Sequence, residues 1–69
     1  MTNTEAFIDA MNDVGLKFKI LAKKVGLTPN GLRKKVHNQS EFKASEIQKC
    51  TEIMHLTSEE RDYIFLSEQ

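Results

Sequence analysis

Between Val25 and Pro29 the chain must end one helix and begin another. Phe18, Leu21, Ala22 and Val25 form an apolar stripe at helical spacing, and Gly26 follows where a left-handed residue closes a helix. Thr28 and Pro29 are then a start signal, because a threonine hydroxyl caps free N–H groups and proline's fixed φ suits the first helical position. The stretch FKILAKKVGLTPNGLRKKVH therefore predicts two short helices, about 17–25 and 29–37, joined by a tight turn. Ala22 keeps the two close. A bulky side chain at Gly26 is expected to strain the turn and to push the second helix away from the first.

The flanking segments carry the same kind of punctuation. Thr2-Asn3-Thr4-Glu5 fits a capping box, and Phe7, Ala10, Met11 and Val14 recur at helical spacing until Gly15, which predicts a helix over roughly 3–14. Asn38-Gln39-Ser40 is a polar break, and Phe42 an apolar anchor in the connection after it. Ile47, Cys50, Thr51 and Met54 share a stripe, with Ile53 at its side, on a fourth helix over about 44–54. Thr57-Ser58-Glu59-Glu60 is a second capping box, opening a fifth helix at about 58 with Tyr63, Ile64 and Leu66 as its apolar residues. No segment keeps a period-two alternation. The expected fold is all-α, a compact bundle of about five short helices, one domain over 1–69.

A chain of 69 residues supports one small core. Such a core contributes only about 3 to 5 kcal/mol, so burial through self-association would add usefully to it. With 39% apolar and 29% charged residues the composition is that of a folded domain, and the longest apolar run, Tyr63 to Leu66, is far short of the ~20 residues of a membrane span. Glu5 and Asp9 sit where a signal peptide would be basic and then apolar, which makes a cytoplasmic location the expectation.

The net charge of zero hides a strong segregation. Residues 1–16 carry three acids and no base; residues 17–43 carry eight bases against Glu41 alone, a net +7; residues 44–69 return to −4. A basic block between acidic flanks is the footprint of a polyanion-binding surface, although a solvated helix face has the same composition. Geometry narrows the choice. With 100° per residue, Leu32 and Val36 fix the core side of the third helix; Lys34 lies opposite, Asn30 and His37 are within about 60° of Lys34, and Arg33 and Lys35 flank the apolar stripe. The outward face thus offers Arg and Lys, which pair with guanine O6 and N7, and Asn, which pairs with adenine N6 and N7.

The stretch from Phe18 to His37, with Ala22 in the small-residue place, Gly26 in the turn and Leu21, Val25, Leu27 and Leu32 in the apolar places, resembles the helix-turn-helix of the Cro and repressor (XRE) family of DNA-binding proteins. From RKKVH through Ser40-Glu41-Phe42 and Glu46-Ile47 to the end, the chain is similar to small phage and prophage Cro-like proteins. The resemblance implies a transcriptional regulator that reads the major groove of a double-stranded DNA operator as a homodimer. It puts Thr28, Pro29, Asn30, Arg33, Lys34 and His37 at the bases, and Lys17, Lys19, Asn38, Gln39, Ser40 and Lys43 at the phosphates. Three positions depart from the family pattern. Phe18 and Pro29 stand where glutamines are common, and Lys35 stands in a usually apolar place, so its stem is expected to pack while its ammonium snorkels to water.

Tyr63, Ile64, Phe65 and Leu66 cannot all face one side of a helix, and they are the expected dimer contacts. Cys50, the single cysteine, is expected in the core, and with His37 and His55 it has no zinc-site spacing. No carboxylate pair, nucleophile–base order or phosphate-cradling glycine loop is apparent, so neither an enzyme nor a cofactor, metal or small-molecule substrate is expected. The competing reading is an antitoxin-like or adaptor module that keeps the helix-turn-helix but acts by binding another protein through its apolar tail.

Overall fold

Four helix ends in this chain use one backbone device, and it sets most of the topology. A computed structural model of the protein describes residues 1–67; Glu68 and Gln69, the end of the expected 1–69 domain, lie outside the described residues. The helices are α1 (Thr4–Asp13), α2 (Phe18–Val25), α3 (Pro29–Val36), α4 (Ala44–Ile53) and α5 (Ser58–Phe65), with no strand among the described residues. After α1, α2, α3 and α4 the chain passes through a left-handed residue: Gly15 (φ 73°), Gly26 (80°), Asn38 (64°) and His55 (55°). The next N–H then reaches back to a late helical carbonyl, Leu16 to Met11 at 3.1 Å, Leu27 to Ala22 at 2.8 Å, Gln39 to Lys34 at 2.8 Å and Leu56 to Thr51 at 2.9 Å. Leu16, Leu27 and Leu56 pack on the core as they do so. Gln39 is exposed, and α3 is closed by other ties described below.

The core lies where α1, α5 and the α2–α3–α4 group meet. Phe7, Leu21, Leu32, Val36 and Cys50 are its largest fully buried side chains. Phe42, in the connection before α4, stacks on Phe7 at 5.8 Å between ring centroids and meets the edge of Phe65 at 5.1 Å, so the anchor expected there joins α1 to α5. Among the described residues no helix is long and apolar enough to cross a membrane.

Several local expectations are corrected. The cap of α1 is Asn3, whose Oδ1 accepts from the Ala6 N–H at 3.1 Å, and Thr2 is buried instead of capping. Val14 and Tyr63 are exposed, because the helices they belong to turn those positions away from the core. At Gly26 nothing lies within 4 Å of where a Cβ would stand, so a first side-chain carbon meets no clash there, and the positive φ is what asks for glycine.

Candidate nucleic-acid interface

α3 is short, begins with the Thr28 hydroxyl accepting from the Gly31 N–H at 3.0 Å, and turns Leu32 and Val36 inward. That anchoring leaves Asn30, Arg33, Lys34 and His37 exposed on one outer face, with Thr28 and Pro29 exposed at its N-terminal end. None of these side chains has an ion-pair partner among the described residues. Thr28 keeps its hydroxyl proton for a ligand while its oxygen is used by the cap.

The two bases that flank the stripe behave differently. Arg33 lies over the ring of Phe18, its Cζ 5.0 Å from the centroid, so the first residue of α2 is a platform that orients the guanidinium while leaving it exposed. Lys35 does not snorkel to water. It pairs with Glu46 on α4, and the two side chains are only 13% and 11% exposed. Burial alone would push the Glu46 carboxyl up, but the hydrogen bonds from Lys35 and from the Lys43 N–H, with the charges of both lysines, hold it below its ordinary value. The outward face of α3 is therefore Asn30, Arg33, Lys34 and His37 without Lys35.

Of the expected phosphate contacts, Lys17, Lys19, Gln39, Ser40 and Lys43 are exposed. Lys17 and Lys43 occupy the cap positions of α2 and α4, and lysine has no acceptor with which to satisfy the first N–H groups. At α4 only half of a capping box is made, Glu46 accepting from the Lys43 N–H at 2.8 Å. These two helix starts thus combine free N–H groups with an adjacent ammonium, whereas α1, α3 and α5 are capped by Asn3, Thr28 and Thr57. Asn38 is used differently from expectation. Its Oδ1 accepts from the Thr2 N–H at 2.8 Å and its Nδ2 donates to the Thr2 carbonyl at 2.9 Å, while the Thr4 hydroxyl donates to the Val36 carbonyl at 2.7 Å. The N-terminal segment clasps the end of α3, and the Asn38 amide is committed to that clasp.

The four expected dimer residues divide into two pairs. Ile64 and Phe65 belong to the core, 3% and 5% exposed, so they are unavailable to a partner. Tyr63 and Leu66 are 67% and 64% exposed, but they border different grooves: Leu66 with Ala44, Ile47 and Thr51 between α4 and α5, and Tyr63 with Ala6, Ala10 and Asp13 between α1 and α5.

Family models, curated proteins and solved structures contain no match to this chain. The site must be read from its own residues. Sequence reasoning missed three of them: Phe18 as the platform for Arg33, Glu46 as the partner of Lys35, and Thr2 as the partner of Asn38. Glu46 had a visible signal, since a carboxylate four residues before Cys50 shares the buried stripe of its helix and needs a cation there. Cys50 is buried, and burial followed by the nearby Glu46 charge pushes its thiol up to about 12, which keeps it a packing residue.

Proposed function

We propose that this chain is a sequence-specific double-stranded DNA-binding regulator of the Cro-like kind, α2 and α3 forming a helix-turn-helix whose third helix reads the major groove. The observation that carries the reading is the outer face of α3, where Asn30, Arg33, Lys34 and His37 stand exposed and unpaired beside a lysine that is internalised. Lys35 is taken up by Glu46 and Arg33 is oriented over Phe18, which supports a face kept for a ligand with four donors free on it. The uncapped starts of α2 and α4, with Lys17, Lys19 and Lys43, suit backbone phosphates, and Gln39 and Ser40 lie in the loop between α3 and α4.

The protein acts on this reading as a homodimer, since one face this small makes few base contacts. Leu66 and the α4–α5 groove suit a two-fold contact, because Arg61 lies beside Asp62 and Glu52 and a self-facing patch of mixed sign can pair across the axis. The Tyr63 side has acidic walls and would oppose like charges.

Selection of bound sequences from a random duplex pool tests the proposal. A recurrent two-fold site is expected, with affinity that survives competitor DNA and a logarithmic salt slope that falls by about one for each of Lys17, Lys19 and Lys43 replaced by alanine. A pool that stays random after selection would overturn it.

A further inference from the structure

The groove between α1 and α5 has an apolar floor of Ala6, Ala10 and Ile64, walls carrying Asp9, Asp13 and Glu60, and the exposed ring of Tyr63 at its edge. It continues past Glu5. No lysine or arginine lines it, and none of these carboxylates has an ion-pair partner among the described residues. A complementary surface stands on α2. In a projection of 100° per residue Ile20 falls between Lys23 and Lys24, about 60° from one and 40° from the other, on the side away from Leu21 and Val25. Ile20 is 47% exposed, both lysines are exposed, and neither has an ion-pair partner among the described residues. The DNA reading uses neither lysine.

We propose that the acidic α1–α5 groove is a docking surface for the Ile20, Lys23 and Lys24 face of a second copy of this chain. An apolar side chain between two cations meets an apolar floor between carboxylates, so burial and charge favour the same register. Within one chain the two surfaces do not meet: α2 packs on α3 and α4, α1 packs on α5, and no ion pair joins the lysines to the groove. A two-fold contact through the groove would set carboxylates against carboxylates. The contact is therefore head-to-tail, each copy offering its α2 face to the groove of the next, in addition to the two-fold contact at Leu66. On a duplex with neighbouring sites it makes one bound copy favour the next; that consequence rests on the DNA reading, and the contact itself does not.

Sedimentation of the full chain without DNA tests it, using two charge-reversed variants at exposed positions, Lys23→Glu/Lys24→Glu and Asp9→Lys/Asp13→Lys. The parent is expected to grow beyond a dimer with concentration at low salt and to lose that growth at high salt, because exposed charge pairs are screened. Each variant alone should lose the growth, since the first puts carboxylates on both patches and the second, with Glu60 still in the groove, cancels the groove's negative charge. Each should keep the parent's helical circular dichroism signal at the temperature of the experiment. An equal mixture of the two should regain it, since each variant then finds an opposite patch on the other. A parent that never exceeds a dimer, variants that still grow, or a mixture that does not recover would each overturn the proposal, and none of these outcomes bears on whether the chain selects a DNA sequence.

Discussion

The two flanks of α3 carry the same kind of residue and have opposite fates. On the side toward α2, Arg33 lies across Phe18 and stays at the surface. On the side toward α4, Lys35 is drawn in to Glu46 and ties α3 to α4 through that ion pair. The neighbour decides: an aromatic ring holds a guanidinium without removing it from water, whereas a carboxylate on a buried stripe must be matched by a cation or protonated. One flank is thus kept for a ligand and the other is spent on the fold. Both remain basic to a reader of the sequence.

The largest effect is expected on the packed flank. Glu46→Ala strands the Lys35 ammonium and removes the acceptor of the Lys43 N–H, a loss of about 1.5 to 3 kcal/mol and a fall in Tm of roughly 10 °C. A thermal melt that matches the parent would mean that the pair holds nothing. The same flank has a pH signature. With its carboxyl held low in the folded chain, Glu46 contributes its full stability above its ordinary value of 4.5 and loses it as pH falls through the lowered value. In urea titrations the gap between the parent and Glu46→Gln should therefore be widest at neutral pH and close well below 4.5; a constant gap would remove the charge from the explanation.

On the exposed flank the sign of the contrast reverses. Arg33→Ala and Lys34→Ala should each weaken binding to the selected duplex by about 1 to 3 kcal/mol while leaving stability within about 0.5 kcal/mol of the parent. If either changed the melt as much as Glu46→Ala does, the division between the flanks would fail. Smaller effects belong to the helix ends. Gly26→Ala should cost about 1 kcal/mol from its positive φ alone, and His55→Gly, which relieves the same conformation after α4, should raise stability by about 0.5 to 1 kcal/mol. Chemical denaturation reads both, and a destabilised His55→Gly would show that the imidazole packs usefully.

Much of the fold was legible because its signals are local. The five helices fall where the stripes and punctuation put them, and Gly26, Thr28-Pro29 and Thr57 act through bonds within a few residues of themselves. The outer face of α3 was equally legible, since Leu32 and Val36 orient the helix and rotation places the rest. The misjudged residues were those whose partners are distant in the chain. Asn38, in a polar break, looks like any loop amide until Thr2 is brought beside it from 36 positions away. Tyr63, Ile64, Phe65 and Leu66 form one apolar run whose members separate into core and surface only when α1 and α4 close on α5.

From the sequence alone came an all-α chain with a short helix turning outward a face of Asn30, Arg33, Lys34 and His37, because helical periodicity and capping depend on neighbours within about one turn. Which basic residues stay available, which acids are consumed, and which apolar residues are left for a partner were decided only by how the helices pack, α2 on α3 and α4, and α5 on α1 and α4. Desolvation acts on whatever the fold brings into contact, and the order of residues along the chain does not contain those contacts.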